Sequence, residues 1–153
     1  MVMSETRANN KGPFRGREKR HFFFLNPYED VAFTRCPQCE RVTKVRRFCL
    51  FIHVAPHHLL SFNKTCRYCP VCDLIIVKKV DLEHYLVLTF EQQAPDVIGN
   101  DYLVMGTLDR QLHHRGKKGE LLQQSAIDAF FPFLDHRQFE VERGGWAPAS
   151  GNE

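Results

Sequence analysis

The chain has 153 residues, 43% of them hydrophobic and thirteen of them phenylalanine, which is apolar mass enough for a buried core and too much for a disordered protein. Its formal charge of +3 is unevenly placed: residues 1–20 hold six Lys/Arg against two Glu, leaving 15 basic and 16 acidic groups on the rest. The basic character belongs to the amino-terminal arm, which weakens the case for a globular nucleic-acid binder, and no run reaches the roughly 18 apolar residues of a membrane-spanning helix.

Residues 1–20 are polar, basic and without periodicity, and are predicted to be a disordered arm. They lack the apolar segment of a secretory signal, so a cytoplasmic location is expected. Structure should begin with "HFFFL" (21–25), closed by the turn signal "NPYED". The stretch "RVTKVRRFCLFIHV" (41–54) ends in a continuous apolar run, the pattern of a strand buried on both faces. Pro56 breaks it, "LLSFNKTCRY" (59–68) returns, and "LIIVKKV" (74–80) leaves as another strand. From Asp81 the pattern becomes helical: "DLEHYLVLTFEQQ" (81–93) has an N-cap candidate in Asp81, and apolar residues nearly all round predict a substantially buried helix. A strand at "YLVMGTL" (102–108), a second helix over 120–131 and a strand at "QFEVE" (138–142) follow. The division this implies is an arm (1–20), a β lobe (21–80), an α+β remainder packed on it (81–143) and a flexible tail (144–153).

Six cysteines without an export signal point to metal more than to disulfides or redox chemistry. Four of them form two Cys-Pro-x-Cys turns, "CPQC" (Cys36, Cys39) and "CPVC" (Cys69, Cys72). Two intervening residues let a tight turn aim both sulfurs at one point, and the proline lowers the entropy lost on closing it. The 29 residues between the turns suffice for two strands and a connection, so two hairpins can bring four thiolates around one Zn²⁺. Such a site leaves no coordination position open, which makes the ion structural. Binding of about 10–16 kcal/mol can hold a lobe whose strands alone bury too little. With the ion and four thiolates counted, the folded body carries a net charge near −3. Cys66 complicates the assignment, because "CRYC" has the same spacing and Cys66 with Cys69 is an alternative second pair. Cys49 is expected to be a small buried hydrophobe.

The paired motifs resemble those of zinc-ribbon and rubredoxin-like proteins, in which two cysteine knuckles at hairpin tips clamp one metal; the likeness covers residues 30–80. It implies Cys36, Cys39, Cys69 and Cys72 as ligands, with zinc as the metal and iron as the minor alternative. Those families commonly place Gly after the second cysteine of a knuckle, where the backbone tends to be left-handed; here stand Glu40 and Asp73. The remainder of the chain resembles bacterial zinc-ribbon proteins, a likeness that implies no activity.

Two further groups suggest partners or chemistry. Arg35, Arg41, Lys44, Arg46, Arg47, Lys64 and Arg67 crowd the knuckles, either as a nucleic-acid stripe with Phe48 and Tyr68 for stacking or as cations offsetting a metal centre of charge −2. His53, His57 and His58, with Cys49 before them, suggest a second metal or catalytic site, against the plainer reading of a polar turn. No nucleophile elbow, phosphate loop or HExxH is present, and Asp109-Arg110 specifies no reaction. The expected protein is α+β: an antiparallel zinc ribbon packed with two helices and additional strands. Its expected role is a zinc-stabilised interaction or adaptor module for a macromolecule, with protein favoured as the partner. The alternatives are nucleic-acid binding through residues 1–20 and Arg41, Lys44, Arg46 and Arg47, and an enzyme using zinc as scaffold.

Overall fold

Apolar runs dominate the architecture. A computed structural model describes residues 18–108 and 130–141 of the chain. Its strands are β1 (Phe22–Asn26), β2 (Lys44–Val54), β3 (His58–Cys69), β4 (Leu74–Lys78), β5 (Tyr102–Thr107), β6 (Phe131–Pro132) and β7 (Asp135–Arg137). One helix, α1 (Lys79–Gln93), and a single 3-10 turn (Pro95–Val97) lie between β4 and β5. All seven strands belong to one sheet of order β6-β5-β2-β3-β4-β1-β7. The long β2–β3 hairpin is its centre; β1 runs parallel to both β4 and β7, and the other pairings are antiparallel.

Strand order and chain length together force the sheet to curl. β6 and β7 stand at opposite ends of the order, yet only Phe133 and Leu134 separate them in sequence. Laid flat, seven strands would span roughly 29 Å, whereas the link from Pro132 to Asp135 reaches at most about 11 Å. The result is a curled half-barrel, its rims tied by Arg20 N–H to Pro132 O (2.9 Å), Leu134 N–H to His21 O (2.7 Å) and Phe133 N–H to Met105 O (3.1 Å).

Side-chain alternation gives each face its own core. On the inner face Phe23, Leu50, Ile52, Leu60, Ile75 and Val77 meet Leu82, Leu86 and Phe90 of α1, and the ring of Phe23 stacks on Phe133 at 4.7 Å. On the outer face one cluster gathers Phe24, Cys36, Cys69, Leu74 and Ile76, and a second gathers Cys49, Phe51, Leu108 and Phe130. Phe48 through Ile52 are all buried, as their unbroken apolar run requires.

These facts correct the expected α+β zinc ribbon packed with two helices. The protein is mostly β with one helix among the described residues, and its knuckles hang from a large mixed sheet rather than forming an antiparallel ribbon. Most of the expected helix over 120–131 lies outside the described residues, while its end, Phe131, is in a strand. The last strand among the described residues is Asp135–Arg137, and residues 138–141 of the expected strand over 138–142 are not in one; Phe139 instead sets its ring edge against Phe24 at 5.0 Å. Helix α1 starts two residues before Asp81, with Lys78 at its N-cap making no side-chain bond. It buries only the Leu82/Leu86/Phe90 stripe, and Tyr85, Val87 and Leu88 remain exposed. Residues 1–17 of the expected arm (1–20) and the expected tail (144–153) lie outside the described residues.

Candidate metal centre

The second knuckle grows directly out of the sheet. Cys69 ends β3, residues 70–73 turn, and Leu74 opens β4 opposite Cys69, so Cys72 is folded back beside Cys69. The first knuckle sits on a miniature hairpin fixed by the Arg35–Val42 bridge, with Thr43 N–H bonded to Thr34 O (2.9 Å) and Thr43 Oγ1 to Phe33 O (2.7 Å). Within that turn Glu40 N–H reaches Cys36 O, and Cys36 N–H reaches Arg41 O, both at 2.8 Å. Glu40 (φ 66°) and Asp73 (φ 55°) both adopt the left-handed conformation that follows a knuckle, although neither is glycine.

The four sulfurs converge. The Sγ atoms of Cys36, Cys39, Cys69 and Cys72 all lie within 4.8 Å of one another, with Cys36–Cys72 at 3.9 Å and Cys39–Cys69 at 3.5 Å. A tetrahedron with Zn–S bonds near 2.3 Å has edges of about 3.8 Å, so the donor set fits such an ion. No cysteine is in a disulfide. Backbone N–H groups already face two of the sulfurs: Gln38 to Cys36 Sγ (3.3 Å) and Cys72 to Cys69 Sγ (3.4 Å). As free thiols the group is unevenly poised. Burial pushes Cys36 up, while the backbone N–H of Arg41 brings Cys39 down to about 7.

Strand parity keeps Cys66 out of the sulfur cluster that Cys72 joins. Cys66 and Cys69 are three apart within β3 and so point to opposite faces. Cys66 lies in the inner core, donates to Lys64 O at 3.3 Å, and burial pushes its thiol up to about 12. It stands apart from the sulfur cluster, as does Cys49 in the outer core.

One partner of the second knuckle was invisible in the sequence. Asp73 Oδ1 accepts from Tyr68 OH at 2.5 Å and lies 2.6 Å from His21 Nδ1, while Phe22 N–H bonds Asp73 O at 2.7 Å. Burial alone would raise the Asp73 carboxyl, but the Tyr68 and His21 contacts outweigh it and hold the group low. His21 is 52 residues from Asp73, and only β1–β4 pairing brings them together.

The histidine string does not assemble. His53 pairs with Leu59 on the outer face, His58 pairs with Val54 on the inner face with its ring edge toward Phe90, and exposed His57 stacks on His58. Asp109-Arg110 lies outside the described residues. The cations fare differently. Arg35, Arg41, Lys44, Arg46 and Arg47 are exposed, Lys64 and Arg67 half-exposed, and none of the seven forms an ion pair with a described residue. Phe48 and Tyr68 are buried beneath the Arg46 guanidinium (4.9 and 5.0 Å), so neither presents a free face for stacking a base. No described helix is long and apolar enough to cross a membrane. Neither family models, curated proteins nor solved structures include a match to this chain.

Proposed function

We propose that the chain is a zinc-stabilised interaction module, in which Cys36, Cys39, Cys69 and Cys72 hold one structural Zn²⁺. The observation that carries this reading is the convergence of four thiols, from two turns about 30 residues apart, within 4.8 Å. Four thiolates would close the coordination sphere, and the ion would contribute folding energy without a site for substrate. Thiols kept reduced for such a site favour the cytoplasm. Metal analysis of the reduced chain tests the reading: one zinc per chain is expected, lost in Cys36→Ser and Cys69→Ser and kept in Cys66→Ser. Iron in place of zinc would change the metal, and a metal-free chain would end the reading.

The ion would pin the first knuckle to the sheet beside the cation-rich end of β2 and β3, and that surface is the proposed contact for a macromolecule. An acidic protein surface is the partner favoured by the near-neutral body. That none of the seven cations forms an ion pair with a described residue favours a second reading, contact with a nucleic-acid backbone, without base stacking because Phe48 and Tyr68 are covered. Retention on DNA or RNA separates the two. About four phosphate contacts would weaken binding roughly 150-fold between 50 and 200 mM salt, and an Arg46→Glu/Arg47→Glu double substitution should abolish it.

A further inference from the structure

Helix α1, the 95–101 loop and the β2–β5 pair enclose a cleft of about 350 Å³, away from the cysteines. That volume sits at the small end of the range for organic ligands and, at roughly 30 Å³ per water-sized unit, holds about ten non-hydrogen atoms. Its depth is apolar, formed by Leu86, Phe90 and Val97, all buried, with Val87 at the mouth. The walls are fixed before any ligand arrives. Asn100 Nδ2 bonds Ala55 O (2.9 Å) and Ala55 N–H bonds Asp101 O (2.8 Å), tying the loop to the end of β2. Val54 pairs with Tyr102 beneath.

The rim carries one oriented charge. Tyr102 OH donates to Glu83 Oε2 at 2.9 Å, and Lys79 Nζ approaches that same oxygen at 3.7 Å. Burial, with the Glu83 carboxylate second, raises the Tyr102 hydroxyl above the usual tyrosine range, so it remains a donor. Both contacts fall on Oε2, and Oε1 has no hydrogen-bond partner among the described residues. The Lys79 pair is solvent-exposed and weak. A carboxylate oxygen held at the edge of an apolar cleft suits a ligand with an apolar body and a single cationic donor. We propose that this cleft binds a small organic amine, a protonated primary amine on an aryl or alkyl body.

The test is a chemical-shift titration of the full chain, following methyls of Leu86 and Val97, with 2-phenylethylamine, 2-phenylethanol and 3-phenylpropanoate. The expected order is amine, alcohol, acid, with the amine about tenfold tighter than the alcohol, the worth of one charge-assisted hydrogen bond. Glu83→Gln should remove the amine's advantage, bringing the amine and alcohol affinities together. Val87→Phe, which fills the mouth from a partly exposed helix position, should remove both. An amine no tighter than the alcohol in the wild-type chain overturns the proposal, as does the absence of saturation by about 10 mM. Binding that survives Val87→Phe in a folded variant overturns it too.

Discussion

Removing the metal should detach a loop without dissolving the sheet. The proposed ion links Cys39 to Cys69 across 30 residues. In the chain-entropy treatment of cross-links, releasing a loop of that length destabilises by about 4 kcal/mol at 25 °C. For a protein of this size, each kcal/mol moves the melting temperature by roughly 2–4 °C, so chelation should lower it by roughly 8–16 °C. A total stability of about 5–15 kcal/mol leaves the metal-free sheet folded or nearly so. The inner core supports that outcome, because Leu50, Ile52, Leu60 and Leu82 are fully buried and make no use of the knuckles. Differential scanning calorimetry with and without a zinc chelator measures the shift. Hydrogen exchange locates it: amides of Cys36, Glu40 and Thr43 should lose protection while those of the β2–β3 ladder keep theirs. A melting temperature unmoved by complete zinc removal would refute the reasoning, as would equal loss of protection in ladder and knuckle.

Glu40 and Asp73 share a left-handed backbone but differ in what their side chains do. Glu40→Gly should stabilise by about 0.5–1 kcal/mol, the left-handed strain relieved less the added chain entropy. Asp73→Gly should destabilise by about 1–3 kcal/mol through loss of the Tyr68 and His21 contacts; urea unfolding distinguishes the signs. Gly106→Ala would put a Cβ 2.0 Å from Phe131 O and 2.9 Å from Pro132 Cα, and should destabilise by about 3 kcal/mol in the same assay. Tyr102 has a raised pKa in the folded state. Its contribution is therefore complete below the ordinary tyrosine value near 10 and is lost as pH rises above it, with a slope under about 1.4 kcal/mol per pH unit because the residue is only half-buried. Tyr102→Phe should flatten that alkaline decline in denaturant midpoint.

What the sequence disclosed follows from what sequence patterns encode. Continuous apolar runs at 22–25, 48–52 and 74–77 identify strands buried on both faces, because a strand with one wet face must alternate. The cysteine quartet was legible because both knuckles are local turns whose spacing is their geometry. Pairing partners are not local. Nothing in "FFFL" states that β1 lies parallel to both β4 and β7, and so the closure of the sheet and the His21–Asp73 contact were hidden. The helix boundary was misplaced because β4 passes into α1 without a break, Lys79 and Val80 continuing an apolar-basic run. Its sidedness was misjudged for another reason. Tyr85 is held on the surface by the Lys64 ammonium at 5.7 Å and the Phe62 ring at 5.8 Å, contacts that composition reads as burial.

His21 joins the two devices that give this sheet its shape. Its carbonyl receives Leu134 N–H from the segment that closes the curl, and its ring holds Asp73 at the turn that carries Cys72. Its neighbours act in the same directions, Arg20 N–H bonding Pro132 O and Phe22 N–H bonding Asp73 O. The left-handed backbone of His21, φ 73°, lets consecutive residues face both ways. Curl and knuckle therefore share a three-residue joint at the start of β1. A change in the metal site reaches the closing segment through Asp73 and His21, and the inner core through the Tyr68 hydroxyl bonded to the same Asp73 oxygen. Substituting His21 should accordingly disturb the knuckle, the β6–β7 closure and, through its ring contacts with Phe48 and Tyr68, the knuckle end of the β2–β3 hairpin, leaving the far end of that hairpin around Ile52 and Leu60 as the last to lose amide protection in hydrogen exchange.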